Sequence, residues 1–305
     1  MSAAPVIAAV DGSADSLRAL DWALDAARRR RAPLRVVHVR QYAAWGQADV
    51  LVAGPPPEAE GDPVLDEVRA RLGNGTEEGA GEPAVEYVAL AGAPGAVLPE
   101  LGREAQLLVL GSRGRGGFAS LLLGSNGLAV ARDAACPVVV VPPPGREVHG
   151  ETTAGPGPRV VVGLHAESPD DGVLAFAFAE AAGRAARLQV IAAYPWPVPT
   201  WSAPGQPVPP LVDQEAVAHE IRALAEGFLA PHRERHPEVR ADAEALPGDA
   251  AGRLVAASGD ADLVVVGRHR RRLLAPARMM GSVTQAVLLH AASPVAVVPP
   301  APPGE

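Results

Sequence analysis

A chain of 305 residues, 48% hydrophobic and with a formal charge of −8, is long enough for two domains that each bury a core. Its acidic balance supplies no general attraction to nucleic acid or to an anionic membrane, no apolar run approaches the roughly 20 residues that span a bilayer, and one cysteine cannot close an internal disulfide. All 27 basic residues are arginines, which excludes chemistry built on a lysine amine: a Walker loop, a Schiff base, or a kinase of the usual kind.

Met1 to Pro5 carries no basic segment and runs straight into a strand, so no secretion signal is expected and the cytoplasm is the expected compartment. Val6–Val10 is a continuous apolar run, the pattern of a parallel strand buried on both faces. A helix then starts at Ser13 or Ala14, with Leu17, Leu20, Leu24 and Ala27 on one stripe, and ends in Arg28–Arg31, where its dipole favours cations. Leu34–Val39 is a second strand. A loop rich in proline and glycine follows, then a helix near Pro63–Leu72 and a third strand over Ala84–Leu90. Gly92-Ala93-Pro94 turns into a short helix ending near Glu104, and Leu107–Leu110 is the fourth strand. A helix over Ser125–Asp133 and a fifth strand, Val138–Val141, complete the half.

The fourth strand runs into Gly111-Ser112-Arg113-Gly114, and Gly124-Ser125 opens the next helix. Glycines at a strand end bare backbone N–H groups, and a helix opening with Gly-Ser adds unpaired N–H groups, a hydroxyl and a positive dipole end. The combination suits an anion, above all a phosphate. A plain glycine-rich surface loop is the alternative reading.

Gly111-x-x-Gly114-x9-Gly124-Ser125 resembles the nucleotide-binding signature of the universal stress protein family. Val6 to Ser13 resembles that family's opening strand, and Ala135 to Pro142 its closing one. The resemblance implies an α/β fold with a Rossmann-like (adenine nucleotide alpha hydrolase-like) five-stranded parallel sheet of order 3-2-1-4-5. Strands one and four then meet at a topological switch point whose carboxyl ends frame a ligand crevice. By the same resemblance, Ala9, Val10 and Asp11 line the adenosine side and Val39 packs on the adenine. Gly111, Arg113 and Gly114 wrap the ribose and first phosphates, and Gly124, Ser125 and Asn126 hold the outer ones. Asn126-Gly127 depart from the family's apolar residue and hydroxyl at these positions, so the Asn126 amide is the candidate replacement. As a residue before a helix, Asp11 also reads as a turn or cap.

After a linker, residues 144–158, the pattern restarts, giving domains at 1–143 and 159–305. Val10 and Leu164, Gly111 and Gly267, and Gly124 and Gly281 lie 154, 156 and 157 residues apart, the near-constant shift of a duplication. The second copy is altered: His165 stands for Asp11, and Arg270, within Arg268-His269-Arg270-Arg271-Arg272, stands for Gly114. It keeps Gly281-Ser282-Val283-Thr284, closer to the family pattern than the first copy, yet its site is expected to bind nothing, or to bind differently.

His232 and His236 share a spacing that can chelate a metal, but Pro231 and Pro237 flank them and a solvated helix end is the expectation. Cys136 is expected to be an inert buried thiol. The expectation for the whole is a tandem stress-response protein that binds ATP, with ADP or AMP as alternatives and magnesium as an optional companion. Its partners are the nucleotide and its own second half, paired through the apolar fifth strands, with a homodimer open and nucleic acid and membrane excluded. A slow ATPase and an interaction protein with an empty site are the rival readings.

Overall fold

A computed structural model describes residues 3–41, 61–73, 82–114, 122–148, 157–195, 213–268 and 280–300. The described chain divides into two compact units that meet in sequence at residues 144 and 145. No described helix is long and apolar enough to cross a membrane.

The first unit holds strands β1 (Val6–Ala9), β2 (Leu34–Arg40), β3 (Val85–Ala91), β4 (Leu107–Gly111) and β5 (Val138–Val141), and helices α1 (Ala14–Arg30), α2 (Pro63–Leu72), α3 (Pro94–Leu101) and α4 (Ser125–Asp133). Its strands order as β3-β2-β1-β4-β5, all parallel, with Val6 opposite both Leu34 and Leu107, Leu34 opposite Val85, and Leu108 opposite Val138. This is the 3-2-1-4-5 order that the resemblance implied. Val6, Ile7, Leu107, Leu108 and Val109 are fully buried, as strands covered on both faces must be. The chain leaves β1 toward β2 and leaves β4 toward β5 on the other side. The ends of β1 and β4 therefore frame the switch-point crevice.

Helix α1 lies on this sheet by a face that shares Leu20 and Ala27 with the stripe read from the sequence but is turned toward the alanines. Ala19, Leu20, Ala23, Ala26 and Ala27 are buried, with Asp15 and Ser16 at its start, whereas Leu17 and Leu24 sit at the margin. Small alanines let the helix approach the strands closely, with Leu20 buried among them and Leu17 and Leu24 flanking the contact. Arg28 at its end binds both oxygens of Glu82 and one of Asp25, so part of the basic run is paired with carboxylates. Helix α3 ends at Leu101, three residues before the expected Glu104.

The second unit repeats the plan with β6 (Arg159–Gly163), β7 (Arg187–Tyr194), β8 (Ala241–Pro247), β9 (Leu263–Gly267) and β10 (Val295–Val298), and helices α5 (Asp171–Gly183), α6 (Gln214–Arg235), α7 (Ala250–Ala257) and α8 (Ser282–His290). Its parallel strands order as β8-β7-β6-β9-β10. His232 is not a solvated helix end. It is 1% exposed, stacks on Phe178 at 5.3 Å between ring centroids and pairs through Nε2 with Asp171 at 3.0 Å. Burial lowers its pKa, and neighbouring Arg235 adds to that effect. Cys136 is buried.

Candidate functional site

The crevice of the first unit is built by two turns that lock together. At the end of β1, Asp11 folds its carboxylate onto the start of α1: Oδ1 accepts from the Ser13 amide at 3.0 Å and from the Ser13 hydroxyl at 2.6 Å. That hydroxyl also caps the helix by accepting from the Ser16 amide at 3.2 Å, which satisfies one of the unpaired helix-start donors. The second turn leaves β4. Its Ser112 amide donates to Val141 O at 3.0 Å, and the Gly124 amide donates to Ser112 O at 2.8 Å. This last bond brings the mouth of α4 to the end of β4. Helix α4 has Gly124 at its N-cap and no side-chain cap bond, so among the described residues no cap side chain closes its first N–H groups and the positive end of its dipole.

Two glycines of the signature are there for different reasons. A Cβ on Gly111 would lie 2.6 Å from Asp15 C and 2.7 Å from Asp15 O, because the α1 backbone crosses the end of β4 there. A Cβ on Gly114 would lie 2.5 Å from Asp11 Oδ2. Gly114 and Asp11 are thus face to face, a hundred residues apart in sequence. What Gly114 spares is a clash with the tip of the Asp11 side chain; its backbone is not left-handed.

The remaining candidates distribute around this centre. Val10 and Val39 are buried near the carboxyl ends of β1 and β2, and Ala9 is half-buried. Ser125 and Asn126 are exposed at the α4 mouth. Asn126 is turned toward α3: its Oδ1 would lie 3.2 Å from a Cβ on Gly95. Arg113 is half-buried and donates through Nε to Asp15 Oδ2 at 3.2 Å. Below β2's end, His38 Nδ1 binds Asp62, which caps α2 by accepting from the Val64 and Leu65 amides at 3.1 and 3.2 Å. Burial raises the Asp62 pKa, but the His38 bond, helped by the Leu65 and Val64 amides and the charge of His38, outweighs it and holds the carboxyl below its usual range.

Sequence reasoning did not name Asp15 or Ser16, and it gave Ser13 only as a helix start and Ser112 only as a motif letter. Asp15 is buried and accepts from the buried Ser112 hydroxyl at 3.2 Å, from Arg113, and from Arg18. An aspartate in a first helical turn reads as a dipole partner, so only its tertiary contacts reveal more.

Among the described residues, the corresponding corner of the second unit does not repeat the Asp15 and Ser16 positions. Counted from the helix caps Ser13 and Asp170, Asp15 corresponds to Gly172 and Ser16 to Val173. A Cβ on Gly267 would meet Val173 Cγ2 at 3.0 Å, where Gly111 meets Asp15. Thr284, the hydroxyl that the sequence offers at the α8 mouth, is buried and donates to Gly267 O at 2.7 Å. The arginine cluster from 269 onward lies outside the described residues. Among the described residues, no group of three or more His, Cys, Asp and Glu could hold a metal ion.

The model of the universal stress protein family matches residues 4–142 and again 158–299. Universal stress protein Rv2005c of Mycobacterium tuberculosis (strain ATCC 25618 / H37Rv) is 34% identical over 304 residues, covering 96% of each chain. A crystal structure of a universal stress protein from Archaeoglobus fulgidus DSM 4304 has a TM-score of 0.64 at 20% identity, covering 98% of this chain and 99% of its own. A universal stress protein solved in complex with cAMP is 32% identical, with a TM-score of 0.32, and covers 45% of this chain and 95% of its own.

Proposed function

The chain belongs to the universal stress protein family, and from that premise we propose that its first half binds an adenine nucleotide in the crevice between β1 and β4. The observation that carries the reading is the Gly124 N–H bond to Ser112 O, which sets an uncapped helix mouth beside the Asp11–Gly114 contact. Phosphates suit that mouth, since backbone N–H groups and the helix dipole both favour an anion. Val10 and Val39 offer apolar surface to the base. Asp11 keeps Oδ1 on Ser13 and turns Oδ2 toward Gly114, an acceptor suited to a ribose hydroxyl or the adenine amine. ATP fills the crevice from base to α4, and AMP and ADP fill it in part. Magnesium, when present, arrives on the phosphates, because the described residues supply no cage for it. The role is binding and signalling under stress, the nucleotide biasing conformation or partner choice. The second half, with Gly172, Val173 and an inward-turned Thr284, does not bind in this way.

Mass spectrometry of nucleotide released from freshly purified protein tests the reading, together with thermal shifts in adenosine, AMP, ADP, ATP and cAMP. A ligand at about 100 times its Kd that binds only the native state adds roughly 2.7 kcal/mol. G114R, which copies the second half, abolishes the shift. The absence of any shift in the wild-type protein with all five ligands refutes the assignment.

A further inference from the structure

The Asp15 carboxylate is a heavily engaged polar group at the crevice, and it has no part in the adenylate reading. Its side chain is 10% exposed, yet it receives the Ser112 hydroxyl, Arg113 Nε and Arg18. A carboxylate in so closed a place needs such partners to hold its charge. Two of the three are consecutive residues of the signature loop. Because a guanidinium is a planar fork with fixed donor directions, a bond at Nε also fixes where the rest of the fork points. The Ser13 hydroxyl, whose proton goes to Asp11 Oδ1 at 2.6 Å, lies 3.4 Å from Arg113 O, so the main chain of the same residue lies against the start of α1 as well.

The second unit serves as an internal comparison. Where Asp15 stands it has Gly172, and where Ser112 and Arg113 stand it has Arg268 and His269. The carboxylate and both of its loop partners are replaced together, while the strand-end glycine and the Gly-Ser helix start stay.

We propose that Asp15 is a positioning residue for the phosphate end of the crevice: it holds Arg113 by Nε and Ser112 by its hydroxyl, and so sets the guanidinium for a ligand's phosphate groups. The proposal rests on the adenylate reading of the first half. It assigns Asp15 a part in distinguishing phosphorylated ligands from the bare nucleoside. Asp15 touches neither base nor sugar in this scheme, so its effect is confined to ligands that carry phosphate.

Isothermal titration of the full chain with adenosine, AMP and ATP tests this in wild type, D15N, R113Q and the double variant. D15N keeps the size and shape of the side chain but removes its charge. It is expected to weaken ATP roughly 10-fold while adenosine stays within about twofold, the scale of one charge-assisted hydrogen bond. R113Q alters a half-buried side chain and must show the same split by itself. In its background D15N has no further effect on ATP, as a shared path requires. Equal losses for adenosine and ATP, a D15N loss that persists beside R113Q, or no loss at all each overturn the proposal while leaving the adenylate reading intact. Wild-type protein that binds none of the three ligands overturns both.

Discussion

Gly111 and Gly114 stand three residues apart in one motif, and the structure assigns them opposite sensitivities to a single methyl group. In G111A the new Cβ falls 2.6 Å from Asp15 C and 2.7 Å from Asp15 O. Both are backbone atoms of a capped helix packed on the sheet, so β4 and α1 must separate. Overpacking of this kind costs about 1–3 kcal/mol, and backbone opposition puts G111A near the upper end. In G114A the new Cβ falls 2.5 Å from Asp11 Oδ2, the tip of a short side chain that can rotate. Rotation gives up the Ser13 bonds at 3.0 and 2.6 Å, each worth about 0.5–1.5 kcal/mol net, with water compensating where the site is open. G114A therefore costs about 1 kcal/mol of stability but fills the crevice and removes the Asp11 acceptor. At about 2–4 °C per kcal/mol for a domain of this size, the first-half transition falls by roughly 6–12 °C in G111A and 2–4 °C in G114A. ATP titration by calorimetry gives the opposite ranking: G114A loses binding, and folded G111A retains more of it. Equal loss of Tm in the two variants, or G114A binding ATP like wild type, refutes the reasoning.

Burial lowers the pKa of His232 from 6.5, so the unfolded chain takes up the proton first as pH falls. Stability is then full above about 6.5 and declines below it, at no more than about 1.4 kcal/mol per pH unit; urea midpoints at pH 7.5 and 5.5 check this, and H232Q flattens the difference. Asp62 has its pKa depressed from 3.8, so its contribution is present above that value and lost as pH falls through the folded one. D62A removes the α2 cap and the His38 partner, costing about 1–2 kcal/mol by urea denaturation at pH 7, and D62N flattens the acid limb below pH 4. T284V removes the buried donor to Gly267 O, lowering the second-half transition by about 1–2 kcal/mol, while calorimetry still gives one ATP per chain.

The fold was legible because doubly covered strands are written as unbroken apolar runs, and Gly111, Pro137 and their counterparts punctuate them. Side-chain roles were less so, because they depend on what crosses from elsewhere. The stripe through Leu17 and Leu24 is a fair helical pattern, yet the sheet selects the alanine face for close approach. Flanking prolines made His232 look like a solvated end, and no local pattern could announce Phe178 stacked on it from α5. Asp15 was hidden by a role it also has, an acid in the first helical turn. Gly111 was read as a ligand contact when the crossing of α1 over β4 already demands a glycine there.

The letters at the helix mouth show how far a motif can diverge from the chemistry it suggests. Gly281-Ser282-Val283-Thr284 matches the family pattern better than Gly124-Ser125-Asn126-Gly127, yet Thr284 turns its hydroxyl inward to Gly267 O. In the first half the position of Thr284 is Gly127, where a Cβ would lie 3.0 Å from Leu123 Cδ1 and 3.4 Å from Leu110 Cδ1. The volume of the missing side chain is taken by leucine, and the tie between strand end and helix start is made by the main chain, Gly124 to Ser112. A hydroxyl used for that tie has one proton, already donated, and is buried away from any ligand. Both helix mouths start at a glycine without a side-chain cap; what differs among the described residues is that the half with the poorer motif sets a buried carboxylate and its arginine beside the strand end, where the half with the better motif has threonine and valine. Both sheets and both helix frames persist through this exchange, so the two halves differ in the polar groups at one corner and not in the fold that carries them.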